Sequence, residues 1–378
     1  MIYVAFIICF LYGILILYFS KGIDRLKEIV SDQNQSVTSF SILVPFRNEA
    51  SSLPGLLESI AALDYPRSQF ELIMINDVSS DSSESIVDSY REKHPTLHLS
   101  MINNKKQSCS PKKDAIQEGI SRASYDWIIT TDADCVVPKT WLSAFNTIIT
   151  EQAPKMIAAP VSYLPKNGFL HKFQLLDFLS LQGITMGSFG MKDKKFAHPF
   201  LCNGANLCYA KDSFKEVNGF SGNHHIPSGD DVFLLEKMLH TFPNEIQFIK
   251  SKDAIVFTSS KDSFRDLIQQ RVRWAAKTTA YKSFFTKSVG VLVFMTSLCM
   301  VSTFILASLG QLPWLHVGFL FALKFNIDFI LLYKTSQFFE QQEVMKSYFM
   351  SSLLHPFYTV LVAILSLKKS YTWKDRTY

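Results

Sequence analysis

The sequence predicts an α/β domain with a doubly wound parallel sheet, flanked on both sides by membrane-spanning helices. Two observations support this fold class. Short β-branched apolar runs alternate with helical stretches in the middle of the chain, which is typical of parallel sheets covered by helices. Long apolar runs lie at both ends and approach the ~20 residues that a helix needs to cross a bilayer. The composition agrees, because the 378 residues are 48% hydrophobic with a mean hydropathy of +0.12.

The first element is an N-terminal membrane anchor, residues 1–20, whose apolar run is Ile2–Phe19. No small-residue cleavage site ends this run, so we expect an uncleaved anchor rather than a signal peptide. Basic residues, Lys21 and Arg25 among them, follow the run and favour the cytoplasmic side of the membrane. The N-terminus is therefore predicted to lie outside, and a polar linker over residues 21–39 leads into a cytoplasmic domain.

The last element is a membrane region, residues 285–378, with two to three hydrophobic segments. His355 and Pro356 interrupt the third segment. Three crossings would place the basic C-terminus outside, against the positive-inside tendency, whereas two crossings and one interfacial or re-entrant segment would keep it inside. The sequence leaves both topologies open. The basic residues concerned are Lys368, Lys369, Lys374 and Arg376.

Residues 40–284 form the predicted cytoplasmic domain, in which strands and helices alternate and the strand ends carry polar clusters. The carboxyl ends of parallel strands share one edge of the sheet, and ligands of open α/β sheets bind there. We therefore expect the polar clusters to come together. The strands are predicted at residues 40–45, 70–75, 97–102 and 127–131, and the intervening helices at 52–63, 82–93 and 112–121.

The fourth strand stops at the triplet D-A-D, residues 132–134. Two carboxylates one residue apart at the end of a core strand are poorly explained by packing. Their oxygens suit Mg²⁺ or Mn²⁺, and such a metal in turn holds phosphates. The alternative is a polar strand-to-helix loop in which one aspartate caps a helix, and the triplet alone does not distinguish the two.

The second half of the domain is less regular. A long apolar helix is predicted at residues 169–186, either as a core helix or as an amphipathic helix on the membrane surface, and anchors at both ends favour the second. A G-D-D triplet opens a further helix, and a basic helix over residues 264–282 contains Q-R-V-R-W. Lipid headgroups would explain the positive charge of that helix, but not the spacing of Gln270 and Trp274.

The charge argues against a nucleic-acid-binding protein, and the cysteine content argues against a disulfide-rich or zinc-binding protein. The net charge of +5 comes without a clustered Lys/Arg arm, which gives no basis for nucleic-acid binding and suits an anionic membrane surface. The six cysteines form no C-x-x-C pair, which argues for a reducing compartment without a disulfide framework or a zinc site. We expect a multi-pass protein of a bacterial inner membrane, with its catalytic domain in the cytoplasm.

Taken in order, the polar motifs resemble those of membrane-bound family 2 glycosyltransferases, the group that includes ceramide glucosyltransferase and the hyaluronan and cellulose synthases. The resemblance implies an A-type, Rossmann-like nucleotide-diphospho-sugar transferase fold, a divalent metal and inversion at the anomeric carbon of the sugar. The motifs are P-F-R-N-E (45–49), N-D-V-S-S-D (76–81), P-K-K-D-A-I (111–116), D-A-D (132–134), N-G-A-N (203–206), G-D-D (229–231) and Q-R-V-R-W (270–274).

The resemblance also implies roles for residues around the nucleotide. Asp77 would accept the N–H of a uracil base, although Asn76 stands where the family usually has a further aspartate. Pro45 and Glu49 would contact the nucleotide, and Lys112 would place a point charge on the diphosphate. The alternatives are an acid at a helix N-terminus for Glu49 and an ordinary surface lysine for Lys112.

The same resemblance assigns the metal and the reacting groups. Asp134 would ligate Mg²⁺ or Mn²⁺ directly, and Asp132 would face the ribose and the metal. Asp231, with Asp230 beside it, would be the base that deprotonates the acceptor hydroxyl. The alternative is an aspartate pair that caps a helix, which would explain one of the two.

The Q-R-V-R-W helix would complete this site. Arg271 and Arg273 would add positive charge to the diphosphate, because a guanidinium fork suits phosphate oxygens. Trp274 would offer an apolar platform to a sugar face, and Gln270 belongs to the same motif.

The expected function is that of a metal-dependent, inverting hexosyltransferase-type enzyme in cell-envelope biosynthesis. It would move a sugar from a nucleotide-diphospho-sugar, with UDP-sugars the family's commonest donors, to a lipid or lipid-linked acceptor at the cytoplasmic membrane face. One alternative is a processive polysaccharide synthase, which must build a secretion channel from membrane helices. The other is a nucleotide-sugar-binding module without turnover, which would have no use for Asp231.

Overall fold

The computed structural model describes residues 2–30, 36–191, 198–367, 372–373 and 376–377. The chain divides into two compact units whose segments alternate along the sequence. The sheet unit comprises Lys27–Leu164 and Phe200–Ser259, and the helical unit comprises Met1–Leu26, Pro165–Pro199 and Ser260–Tyr378. Part of the predicted linker, residues 31–35, lies outside the described residues, as do Lys368, Lys369 and Lys374.

The strands in the described ranges are β1 (Phe40–Phe46), β2 (Phe70–Asn76), β3 (Leu99–Asn103), β4 (Trp127–Thr130), β5 (Cys135–Val136), β6 (Met156–Ala158), β7 (Val161–Tyr163), β8 (Leu207–Ala210), β9 (Ile246–Phe248), β10 (Val256–Thr258), β11 (Thr372–Trp373) and β12 (Arg376–Thr377). The α-helices in these ranges are α1 (Ile2–Arg25), α2 (Leu53–Ala61), α3 (Ser83–Lys93), α4 (Pro111–Arg122), α5 (Trp141–Gln152), α6 (Phe169–Gly190), α7 (Lys211–Glu216), α8 (Val232–Thr241), α9 (Phe264–Ala276), α10 (Phe284–Ser308), α11 (Trp314–Phe338) and α12 (Tyr348–Ser366).

The main sheet of the sheet unit has seven strands in the order β3-β2-β1-β4-β8-β6-β9. Its first four strands run parallel, with Phe40 of β1 opposite both Phe70 of β2 and Trp127 of β4. The predicted α/β fold is confirmed, and the four predicted strands all form. The sheet is mixed rather than purely parallel, because β8 runs antiparallel to β4 and to β6.

Strand β1 shows why the centre of this sheet is stable. Its side chains from Phe40 to Val44 are fully buried, as expected for a parallel strand covered by helices on both faces. Ser41 is the polar exception, and its hydroxyl donates to Glu71 Oε1 at 2.6 Å, so the buried group has a partner.

A second, three-stranded sheet in the order β5-β10-β7 determines where the D-A-D triplet lies. β5 begins directly after the triplet and pairs antiparallel with β10, so that Cys135 lies opposite Thr258. The triplet is therefore a tight turn that connects the main sheet to the second sheet. Its backbone is closed by a hydrogen bond from Cys135 N to Asp132 O at 3.1 Å.

Four helices in the described part of the chain are long and apolar enough to cross a membrane: α1, α10, α11 and the segment Gln342–Ser366, which contains α12. These coincide with the four predicted hydrophobic segments. Pro356 lies inside α12 without ending it.

Helices α1 and α11 of the helical unit run in the same direction. Near their beginnings, Ala5 and Leu320 belong to one buried cluster. Near their ends, Lys334 Nζ lies 2.6 Å from Asp24 Oδ2. Later residues of α1 thus face later residues of α11, which requires the two helices to enter a membrane from the same side.

Helix α1 also packs backbone to backbone against α6. A Cβ atom added to Gly22 would lie 2.0 Å from Gly187 O, and one added to Gly190 would lie 1.9 Å from Gly22 O. Only glycine permits such an approach, which is typical of close helix crossings in membranes. The long helix predicted from residue 169 is therefore present, and it packs against α1 and α11.

A charged pair lies in the apolar part of these helices. Lys324 and Asp328, one turn apart on α11, form an ion pair, and Tyr12 of α1 donates to Asp328 Oδ1 at 2.6 Å. Pairing reduces the large cost of placing either charge within a membrane helix. These contacts join α1 to α11 near the middle of both helices.

Candidate active site

Lys112 joins the D-A-D turn to the G-D-D helix start. Its Nζ lies 2.7 Å from Asp132 Oδ1 and 3.0 Å from Asp230 Oδ2. Burial alone would lower the pKa of Lys112, but the charges of Asp132 and Asp230 outweigh that effect and raise it. Lys112 is therefore a fixed cation at the carboxyl edge of the sheet, and it differs from the exposed surface lysine that was the alternative.

The N-G-A-N segment supplies the space for this contact. A Cβ atom added to Gly204 would lie 2.7 Å from Asp230 Oδ2 and 3.4 Å from Lys112 Nζ. Thr130, the last residue of β4, donates from Oγ1 to Gly204 O at 3.0 Å. Gly204 therefore lets the carboxylate approach closely, and the sheet holds the glycine in place.

The two neighbouring aspartates of G-D-D have different surroundings. Asp230 faces Lys112, whereas Asp231 is the N-cap of α8, where its Oδ1 accepts from Val232 N at 2.7 Å. The pair was predicted either to activate the acceptor or to cap a helix. In the structure Asp231 caps α8, whereas Asp230 faces Lys112.

Asp77 lies at the end of β2, where the base of a nucleotide was predicted to bind. It is 6% exposed, and its Oδ1 accepts from Asn104 Nδ2 at 2.8 Å. Arg47, which the sequence did not single out, donates from Nη1 to Asp77 O at 2.9 Å and to Val78 O at 2.7 Å. The only signal for Arg47 was its place within P-F-R-N-E.

The surroundings of Asn76 explain why this chain has an amide there. Asn76 Oδ1 accepts from Ser79 N at 2.9 Å, while its Nδ2 donates to Glu84 Oε2 at 3.3 Å. An aspartate could not donate to Glu84 and would instead place a second negative charge beside it. The amide therefore supports the turn after β2 and its link to α3.

The other predicted nucleotide contacts lie at the same end of the strands. Pro45 is in β1, opposite Ile75 of β2. Glu49 follows β1, and its backbone N–H donates to Ser83 Oγ at 2.8 Å. The motifs after β1 and β2 are thus joined to each other, as parallel strands predict.

Q-R-V-R-W lies on α9 of the helical unit, where Arg271 is buried. The Arg271 side chain is 6% exposed, and its Nε donates to Asp177 Oδ2 at 2.7 Å. Its Nη1 donates to Gln270 Oε1 at 2.8 Å, and its guanidinium lies 4.3 Å from the ring centroid of Trp274. Arg271 therefore links α9 to Asp177 of α6 and also contacts two other residues of its own motif, Gln270 and Trp274.

Asp177 of α6 is the centre of this second cluster. His355 of α12 lies with Nε2 3.2 Å from Asp177 Oδ1, so three helices meet at one carboxylate. Burial would raise the pKa of Asp177, but the Arg271 charge and the His355 hydrogen bond lower it to about 2. The sequence gave no sign that Asp177 pairs with Arg271.

The D-A-D turn has the chemistry to hold a divalent cation together with a diphosphate. Asp132 and Asp134 offer hard carboxylate oxygens, which Mg²⁺ and Mn²⁺ prefer. Within the described ranges, no group of three His, Cys, Asp or Glu side chains could hold a metal ion by itself. Two carboxylates fit a cation whose other ligands are phosphate oxygens and water. Cys135 beside them stays a neutral thiol, because burial and the charges of Asp134 and Asp132 raise its pKa.

Sequence comparison identifies the part of the chain that carries the first five motifs, while G-D-D and Q-R-V-R-W lie beyond it. The sequence profile of glycosyl transferase family 2 matches residues 41–216, from β1 to the end of α7. Residues 41–216, just under half of the chain, match a family 2 glycosyltransferase domain. The family expected from the order of the motifs is thereby confirmed.

Curated relatives of this chain are similar to it over part of their length. A poly-beta-1,6-N-acetyl-D-glucosamine synthase of Staphylococcus epidermidis is 27% identical over 261 residues, which are 68% of this chain and 58% of the relative. An enzyme of the same name from Staphylococcus aureus (strain COL) is 26% identical over 188 residues, 45% of this chain and 40% of the relative. The chain thus spans less than two thirds of the relatives that it matches.

A solved structure supports the fold over nearly the whole chain. The mannosyltransferase PcManGT from Pyrobaculum calidifontis, in complex with GDP-Man and Mn²⁺, superposes with a TM-score of 0.61 and covers 94% of this chain and 99% of its own. The sequence identity is 16%, so the likeness concerns the fold alone. The A-type glycosyltransferase fold predicted from the motifs is confirmed.

Proposed function

We propose that this glycosyltransferase transfers a sugar from a nucleotide-diphospho-sugar to a lipid or lipid-linked acceptor at the cytoplasmic face of a membrane, with inversion at the anomeric carbon. The supporting observation is the position of Lys112 between Asp132 and Asp230. Group transfer requires the leaving phosphate and the acceptor hydroxyl to meet at one sugar carbon. Lys112 joins the element predicted for the phosphate to the element predicted for the hydroxyl.

The donor would bind along the carboxyl edge of the sheet. Asp77 would accept an N–H of the base, with Pro45 and Glu49 beside the nucleotide, and Lys112 would turn to the diphosphate. Asp134 and Asp132 would hold Mg²⁺ or Mn²⁺, which as a Lewis acid would neutralise the charge of the departing nucleoside diphosphate. The neighbour bound to Mn²⁺ supports metal use.

The acceptor would be activated by the G-D-D aspartates, with Asp231 as base and Asp230 beside it. As the acceptor oxygen bonds to the anomeric carbon, its proton passes to the carboxylate and the bond between that carbon and the phosphate oxygen breaks. The roles predicted for Gln270, Arg271, Arg273 and Trp274 stay predictions.

Basic residues support a cytoplasmic position of the catalytic residues. Lys21 and Arg25 end α1, Lys282 precedes α10, and Lys334 lies near the end of α11, whereas residues 309–313 between α10 and α11 carry no charge. Positive residues favour the cytoplasmic side, and α1 and α11 run in the same direction, so one topology satisfies both observations. In it the N-terminus and residues 309–313 lie outside. A single cysteine at Gln311 of a cysteine-free variant should react with a membrane-impermeant maleimide in intact cells.

A polysaccharide synthase is the second candidate, and the names of the relatives favour it. It differs from the first proposal in the product, because a synthase adds many sugars to one chain. Electrophoresis or mass spectrometry of the product from membranes with radiolabelled donor distinguishes a single addition from a long polymer.

Nucleotide binding is the first test of the function. With purified full-length protein in detergent, UDP and GDP are added with and without Mn²⁺, and the melting temperature is followed. A ligand that binds only the folded state raises the melting temperature, because it adds about 2.7 kcal/mol to the free energy of unfolding at 100 times its Kd. We expect a metal-dependent rise with UDP that Asp134→Ala abolishes, while Asp212→Ala, on an exposed pair with Lys215, retains it. The absence of a rise with either nucleotide would contradict a nucleotide-sugar donor.

A further inference from the structure

Lys113, the neighbour of Lys112, points into the protein and is fully buried. Its Nζ donates to Asn223 O at 2.8 Å and to Ile226 O at 2.9 Å. It also lies 5.3 Å from the ring centroid of Phe233. Burying an ammonium group is costly unless its donors are satisfied, so apolar packing alone would not select a lysine here.

These contacts lie on both sides of the G-D-D triplet. Asn223 and Ile226 precede Asp230, and Phe233 follows Asp231 in the first turn of α8. Residues 217–231, between α7 and α8, form turns and bends without a regular helix or strand. Its backbone hydrogen bonds close local turns, such as Asn223 N to Phe220 O and Ile226 N to Asn223 O, both at 3.1 Å, so contacts from other parts of the fold place the segment.

We infer that Lys113 is a positioning residue that holds residues 223–233 and thereby fixes the acceptor-activating aspartates. This inference rests on the proposed function. When Lys112 turns from Asp230 to a diphosphate, Asp230 loses one of its contacts, and Lys113 keeps the segment in place. The two consecutive lysines at the start of α4 thus have different roles. Lys112 binds the diphosphate of the donor, and Lys113 positions the segment that carries the catalytic base.

The size of the effect follows from the geometry of group transfer. A displacement of about 1 Å at a reacting group can reduce turnover about 100-fold. Of the predicted donor contacts, Asp77 and Asp134 lie on other segments of the sheet unit, and Lys112 precedes Lys113 on α4 but has its own partners, Asp132 and Asp230. Loss of Lys113 should therefore reduce kcat while donor binding remains.

The test compares Lys113→Met with Lys211→Met in the full-length protein. Lys211 Nζ also donates to a backbone oxygen, Ala123 O at 2.6 Å, but it lies outside G-D-D and its contacts. Binding is measured with UDP and Mn²⁺, and turnover as release of UDP from UDP-GlcNAc by membranes that contain their own acceptor lipids. For Lys113→Met we expect kcat to fall at least 30-fold, with the KM for donor and the Kd for UDP within about threefold of wild type. Lys211→Met should keep kcat within about threefold.

Rescue and hydrogen exchange complete the test. Lys113→Arg retains donors for both carbonyls and should recover at least about tenfold of the lost kcat. Amide hydrogen exchange in residues 223–233 should become at least about tenfold faster in Lys113→Met. This measurement needs no sugar donor, so its result does not depend on whether UDP-GlcNAc is the enzyme's substrate. If Lys113→Met does not fold, Lys113→Gln, which still offers an amide donor, is measured in its place.

Two results would overturn the inference. One is a kcat within threefold of wild type for Lys113→Met or its replacement; the other is unchanged exchange in residues 223–233. A wild-type protein that neither binds UDP nor turns over the donor would instead refute the proposed function, and the exchange experiment would still decide the role of Lys113.

Discussion

Two cations of this protein lie against carboxylates, yet their surroundings differ. Lys112 of the sheet unit contacts Asp132, whose side chain is 36% exposed, and Asp230. Arg271 of the helical unit contacts Asp177, and both side chains are nearly buried, at 6% and 11% exposure. The first cluster is open to a ligand, whereas the second is closed by protein.

The balance of charge explains why the two clusters should behave differently. Lys112 faces two carboxylates, so this contact carries more negative than positive charge and a further cation is favoured. Arg271 pairs with Asp177, which His355 also contacts, and the planar guanidinium is held by Gln270 and Trp274 as well. An ammonium on a flexible stem can change partners, whereas a guanidinium held at several atoms is a structural element.

The largest effect is expected for the closed cluster. Asp177→Asn preserves size but removes the carboxylate that pairs with the buried Arg271, and breaking a buried pair in this way costs about 3–5 kcal/mol. We expect a clear fall in the melting temperature of the detergent-purified protein. Asp262→Asn, which affects an exposed pair with Lys166 in the same unit, is the control and should change little. Equal melting temperatures for the two variants would show that the pair on Arg271 is not structural.

The open cluster should affect turnover more than stability. Lys112→Met removes the charge proposed for the diphosphate, and we expect a loss of about 100- to 1,000-fold in kcat/KM, or about 2.7–4 kcal/mol. The melting temperature without ligand should change less than in Asp177→Asn. The measurement is UDP release beside thermal unfolding. If Lys112→Met keeps kcat/KM and instead loses stability as Asp177→Asn does, the contrast between the two clusters is wrong.

The smallest effect is expected for the stability of the closed cluster at acidic pH. Asp177 has a pKa of about 2 in the folded protein, below the usual value of about 3.9. Its contribution to stability is therefore complete above about pH 4 and is lost as the pH falls towards 2, with about 1 kcal/mol lost at pH 3. The gap in melting temperature between wild type and Asp177→Asn should narrow from pH 5 to pH 3. A constant gap would mean that the charge of Asp177 is not what stabilises the cluster.

The sequence was most informative where structure is local. The runs that became β1 and β2 are long, apolar and bounded by polar turns, so both the strands and the edge that carries the motifs were predictable. Strand β8 was not, because Leu207–Ala210 is short and its pairing with β4 joins residues far apart in the chain. No local period encodes such a contact.

Charged residues show the same limit. Lys112 could be selected because it belongs to a motif, but Lys113 beside it gives no sign in the sequence that it is buried. Asp177 was conspicuous inside an apolar helix, since a charge there needs a partner. That partner, Arg271, is 94 residues further along the chain, and only the packing of α6 against α9 reveals it.

The alternation of the two units along the chain has a consequence for synthesis on the ribosome. Strand β8, an inner strand of the main sheet, emerges after α6, and α11 emerges last among the partners of α1. At about 5–20 residues per second, roughly 15–60 seconds separate the end of α1 from the end of α11. During that time α1 lacks its last partner, and its first nineteen residues contain no Asp, Glu, Lys or Arg, which suits a stay in a bilayer. Lys324 and Asp328 lie one turn apart on α11, so their charges can pair within that helix, and Tyr12 is in place to donate to Asp328 when α11 arrives.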